Sequence, residues 1–103
     1  MPRKIDLRKR LLKRLSELGF ASPIDALKAT LIFKIDETVC LSSISGITLF
    51  TSPEGYDTLT FFTNIRETLA HGYFRGVEFD FETNTWRLID EDDTATPVQV
   101  EFI

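Results

Sequence analysis

The chain has 103 residues, 43% of them hydrophobic and 27% charged, with a net charge of −4 at pH 7. That length holds one core and one domain, residues 1–103, and no apolar run reaches the roughly 20 residues that a membrane helix needs. A single cysteine, Cys40, excludes an internal disulfide, so a reducing, cytoplasmic setting is expected.

The N-terminus is basic but lacks the apolar stretch and cleavage site of a secretory signal, so the mature chain is expected to begin near Met1. Residues 1–14 carry seven basic side chains against Asp6 alone, while the remainder is strongly acidic. A basic end on an acidic body predicts one of two things. It reaches for a phosphate backbone or another acidic surface, or it lies against its own body or that of a second copy.

From Ile5 to Leu18 the spacing is helical. Leu7, Leu11, Leu15 and Leu18 form a stripe, widened by Ile5 and Leu12, with Lys9, Arg10, Lys13 and Arg14 on the other side. Arg8 falls within the widened stripe, where its stem still covers apolar surface. Gly19 is placed to stop the helix, and Phe20 to fold back on its last turn. Ser22-Pro23-Ile24-Asp25 is a helix start, with Ser22 as cap and Asp25 complementing the positive end. The recurrence of Ile24, Leu27, Leu31 and Ile35 extends this second helix to about Lys34. The β-branched and aromatic content of Thr30–Ile35 also suits a short helix passing into a strand. Residues 36–45 carry the weakest pattern, and Val39-Cys40-Leu41 suits a short strand or a buried connection.

Ser45-Gly46 turns the chain into a strand at Ile47–Thr51. The turn signal Ser52-Pro53-Glu54-Gly55 then leads to a partner strand at Thr58–Thr63. Pairing Leu49 with Leu59 also pairs Ile47 with Phe61. The other face carries Thr48, Phe50, Thr60 and Phe62, so both faces are partly apolar. Asn64-Ile65-Arg66-Glu67 reads as a capping box opening a short helix with Ile65, Leu69 and Tyr73 on one side.

Gly76–Asp90 reads as a hairpin. Val77, Phe79 and Phe81 alternate with Glu78, Asp80 and Glu82, and Thr83-Asn84 suits a turn. Pairing Phe81 with Trp86 also pairs Asp80 with Arg87 and Phe79 with Leu88, placing rings inside and an ion pair outside. An acidic loop from Asp90 to Pro97 leads into a last strand in which Val98, Val100 and Phe102 alternate with polar residues. The expected fold is α+β, with two N-terminal helices packed on a mostly antiparallel sheet of four to five strands and one short inserted helix.

The chain completes no catalytic set. Cys40 and His71 are the only Cys-His combination, and they supply no zinc ligand set. Asp90, Asp92 and Asp93 lack the glycine and closing glutamate of a calcium loop. There is no nucleophile elbow, phosphate-binding glycine loop or dinucleotide fingerprint. Glu78, Asp80 and Glu82 have no apolar pocket to raise a pKa for acid–base work. No metal and no cofactor are expected, and the chain reads as a non-enzyme. Two functional readings follow. The first is a protein-interaction module, with Phe50, Phe62, Tyr73 and Phe74 as contact residues and another protein, or a second copy, as partner. The strands at Val98–Phe102 and Ile47–Thr51 are its candidate edges. The second is nucleic-acid binding through Lys9, Arg10, Lys13 and Arg14. Mimicry of a polyanion by Glu78, Asp80, Glu82 and Asp90–Asp93 is a weaker third.

Overall fold

A computed structural model of the chain describes the backbone of residues 4–35, 37–63, 74–90 and 96–103, and the side chains of these residues except 4–6, 35, 74 and 90. The expected helix after Asn64, Tyr73, His71 and the loop at 91–95 lie outside the described residues. Helix α1 spans Lys4–Glu17 and helix α2 spans Pro23–Lys28. Six strands follow, β1 Thr30–Ile35, β2 Thr38–Thr51, β3 Asp57–Thr63, β4 Phe74–Asp80, β5 Thr85–Asp90 and β6 Gln99–Phe102. The fold is α+β with one antiparallel sheet, in the order β5-β4-β3-β2-β1-β6.

The helix boundaries follow from local chemistry. At the end of α1, Gly19 adopts φ +97°. The Phe20 N–H then reaches the Leu15 carbonyl at 2.9 Å and the Gly19 N–H reaches that of Ser16 at 3.0 Å, a Schellman closure. Ser22 caps α2, its Oγ accepting from the Asp25 N–H at 3.2 Å, and Pro23 fills the first turn. The second helix does not continue to Lys34. It ends at Lys28, and Thr30–Ile35 is strand β1. The reason is that Leu31 and Phe33 bury on one face while Ile32 and Lys34 stay more open, a period of two. This strand brings the sheet to six strands, beyond the four to five expected, and β2 begins at Thr38, well before the expected Ile47.

Strand β2 is long and serves two neighbours. Its first half pairs with β1 and its second half with β3, with a bulge between Ile44 and Gly46 where the strand bends. Leu49 pairs with Leu59 and Ile47 with Phe61, as the alternation predicts. The β4–β5 hairpin is shifted by two residues from the expected register. Phe79 faces Trp86, Val77 faces Leu88, and Glu78, rather than Asp80, lies opposite Arg87. Phe81–Asn84 forms a four-residue turn held by the Asn84 N–H on the Asp80 carbonyl and the Glu82 N–H on Asp80 Oδ1. The Phe81 N–H donates to the Asp57 carbonyl instead of pairing toward Trp86. A shift of two keeps every side chain on its face, so the core is unchanged.

The sheet closes on itself. Residues 99–102 pair with β1. Just before them, Pro97 bridges Arg87, the Leu88 N–H donates to the Thr96 carbonyl, and the Val98 N–H donates to that of Trp86. One short segment therefore joins both ends of the strand order. The strand expected as an edge at Val98–Phe102 reaches β5 at its start and pairs with β1 through residues 99–102, which keep that one strand neighbour among the described residues. Inside lie Leu31, Phe33, Leu59, Phe61, Val77 and Leu88, with Leu15 of α1 and Ala26 of α2 buried against them. Phe20 reaches in beside Phe102, with ring centroids 4.9 Å apart.

The helix stripes are only partly used. Leu15 is buried and Leu11 and Leu18 pack on the core, but Leu7, Leu12, Ile24 and Leu27 are exposed. In α2 the stripe fails because six residues make less than two turns, and Ala26 alone makes the buried contact.

Candidate functional site

Three features of the surface carry chemistry. The first is the joint between α1 and the sheet. Asp57 opens β3 with its side chain turned into the fold and fully buried. Its Oδ2 accepts from Nε of Arg10 and Nε of Arg14, each at 2.8 Å, and its Oδ1 accepts from the Thr51 hydroxyl at 2.7 Å. Arg10 also donates to the Gly55 carbonyl at 3.1 Å. Arg14 pairs with Glu17 and lies 4.5 Å over the Phe81 ring. Burial pushes the Asp57 carboxyl up, but the hydrogen bonds from Arg10, Thr51 and Arg14 outweigh it and hold the group below the usual carboxylate range. The hydrogen bond to Glu17 leads the interactions that raise Arg14, keeping it charged. Two of the four helix bases thus bind the chain's own body.

The second feature is the basic concavity itself, about 330 Å³, lined by Lys9, Arg10, Lys13 and Arg14. The structure brings all four expected bases together. Lys9 and Lys13 are exposed, whereas Arg10 and Arg14 are half-buried against Asp57. Arg87 pairs with both Glu78, through a hydrogen bond, and Asp80, at 3.4 Å.

The third feature is apolar surface outside the closed sheet. Phe50 is 60% exposed. It lies on residues 47–51 of β2, which among the described residues pair with a strand, β3, on one side only. This half of β2 keeps the expected edge. Phe62 is half-buried and sits opposite Gly46, whereas Phe50 sits opposite Thr58. Four residues of strand, about 13 Å, separate the two rings, so they do not form one patch. Phe74 opens β4, with its side chain outside the described residues, as is Tyr73. Val39 and Leu41 are each 60% exposed on the outer face of β2 beside Ile32.

No protein-family model, curated protein or solved structure matches the chain. The functional reading therefore rests on these surfaces alone. Among the described residues no group of three His, Cys, Asp or Glu side chains is placed to hold a metal ion, and no helix is long and apolar enough to cross a membrane. Cys40 is half-buried on β2 opposite Phe33 and forms no disulfide.

Sequence reasoning missed Asp57, Val39 and Leu41. The seven bases near the N-terminus were the one signal for a buried acid, and they do not say which acid. Val39 and Leu41 alternate correctly, but apolar residues in alternation are ordinarily assigned inward. Here Ser42 and the half-buried Cys40 face in instead.

Proposed function

We propose that the protein is a non-catalytic interaction module, a regulator, adaptor or inhibitor of a larger complex, that binds another protein in the cytoplasm. The observation that carries this reading is Phe50, a large exposed ring on the half of β2 that has one strand neighbour. A partner's strand would add on the side of Ile47–Thr51 that has no strand neighbour among the described residues, with Phe50 as the apolar anchor such pairing needs.

The basic concavity supports a second reading, nucleic-acid binding, because Lys9 and Lys13 remain exposed beside Arg10 and Arg14. The two readings separate by mutation. Phe50→Ala is expected to weaken a protein partner by about 2 kcal/mol, roughly 30-fold. The measurement is retention of the tagged protein's partner from nuclease-treated native extract at moderate salt, followed by titration with the purified partner. Lys9→Glu with Lys13→Glu leaves the Asp57 contacts intact and is expected to leave that partner bound. Retention of nucleic acid, with every protein lost on nuclease treatment, would overturn the interaction module. In that case the double Lys variant should lower the salt slope of binding by about two.

A further inference from the structure

The outer face of β1, β2 and β6 has a pattern that matches itself. Leu41, Ile32 and Glu101 lie side by side in one outward row. The next row holds Val39, Lys34 and Gln99. In the row on the other side Ile103 lies opposite Thr30, the two exchanging backbone hydrogen bonds of 2.8 and 3.0 Å. Leu41 and Val39 are exposed, and so is Ile103, at 75%. Ile32, Lys34, Val39 and Glu101 share the lining of a concavity of about 230 Å³. Among the described residues no ion pair joins Lys34 to Glu101 within the chain.

We propose that this face is an isologous interface between two copies of the chain. The argument is charge complementarity under a two-fold axis. Lys34 and Glu101 lie on adjacent strands, one row apart, on either side of Ile32. A two-fold axis in the plane of the interface that exchanges their positions passes within about 2 Å of Ile32, given strands about 4.8 Å apart and rows about 6.8 Å apart. It places Lys34 opposite Glu101 of the second copy, and Glu101 opposite its Lys34. The same axis sets Ile32 against Ile32 and Val39 against Ile103, within side-chain reach. Ile32 meets itself once across the axis, while the Val39–Ile103 and Lys34–Glu101 contacts each occur twice, so these apolar residues meet apolar ones and both charges find opposites. The face spans three strands, so a concentration-dependent dimer of the weak class is expected. Phe50 takes no part in this contact, so the dimer stands or falls apart from the proposed partner site.

The test is sedimentation equilibrium of the purified full chain over a rising concentration series. The wild type is expected to dimerise. Lys34→Glu and Glu101→Lys are each expected to raise the dissociation constant about tenfold or more, because each reversal creates two like-charge contacts. An equimolar mixture of the two variants is expected to recover wild-type association, since one chain then carries both acids and the other both bases. Val39→Asp, which sets a carboxylate against Ile103, is expected to abolish association whether or not the charge variants fold. A wild type that stays monomeric throughout the series would overturn the proposal, as would single reversals without effect or a mixture no better than its components.

Discussion

Asp57 is a fully buried carboxylate that holds two guanidiniums and a hydroxyl. Removing one member of a buried pair costs about 3–5 kcal/mol when the other is left dry. Arg10 and Arg14 still reach water, so Asp57→Asn is expected to cost less, about 2–3 kcal/mol in chemical denaturation. The cost depends on pH with a definite sign. The folded carboxyl lies below its ordinary value of 3.8, so its contribution is complete above about pH 4 and is lost as pH falls through the folded value. The wild type and the variant are therefore expected to converge in stability in acid and to differ by a constant amount near neutrality. A difference that grew on acidification would contradict the geometry. The same contacts decide how the nucleic-acid reading has to be tested. Reversing Arg10 or Arg14 would set a second carboxylate against Asp57 and loosen α1, so Lys9 and Lys13 are the bases that report on the basic surface itself.

At the scale of elements, legibility followed how clearly a segment separates its two faces. The β2–β3 pairing and the inward set of the β4–β5 hairpin are readable because Ile47 and Leu49, Leu59 and Phe61, and Val77 and Phe79 each recur at a spacing of two, although Phe50 and Phe62 make the other face of β2–β3 partly apolar. The hairpin register missed by two because face alternation has period two and cannot distinguish shifts of two. What fixed it was the Phe81 hydrogen bond to Asp57, a contact from another strand. Thr30–Ile35 suits either a longer helix or a strand because Leu31-Ile32-Phe33 is an unbroken apolar run, which carries no period, and the structure makes it β1. The first half of β2 was obscure because its outward residues are the apolar ones. Gly76 marks the other irregularity, between Phe74 and Gly76 of β4. A Cβ there would sit 2.1 Å from the Phe61 carbonyl oxygen and 3.0 Å from Phe62 Cα. Both obstacles are backbone and cannot rotate away. Gly76→Ala is therefore expected to destabilise by about 1–3 kcal/mol, read from the midpoint of denaturant unfolding. A neutral result would mean that β3 and β4 separate more easily than their pairing implies.

For the whole molecule, the segment from Thr96 to Phe102 is what turns a sheet into a closed wall. It meets β5 with its first residues and β1 with its last. Closure also gathers the aromatic interior. Trp86 lies 4.9 Å from Phe79, 5.8 Å from Phe61 and 5.7 Å from Phe102, measured between ring centroids. The cluster joins β3, β4, β5 and β6. The joining of β1 to β6 has a consequence in time. Leu31 pairs with Phe102, 71 positions further along the chain (102 − 31), and bringing them together costs loop entropy before any contact repays it. Hairpins between neighbouring strands are local and form within microseconds, whereas a wall closed by distant pairing belongs to the millisecond-to-second range. In stopped-flow refolding, backbone circular dichroism is therefore expected to recover ahead of the final change in fluorescence of Trp86, the single tryptophan. Coincident traces would mean that closure and hairpin formation are one event. Until the last strand arrives, β1 and β5 both stand open, and the nearly folded chain is most exposed to joining its neighbours in the moments before it seals.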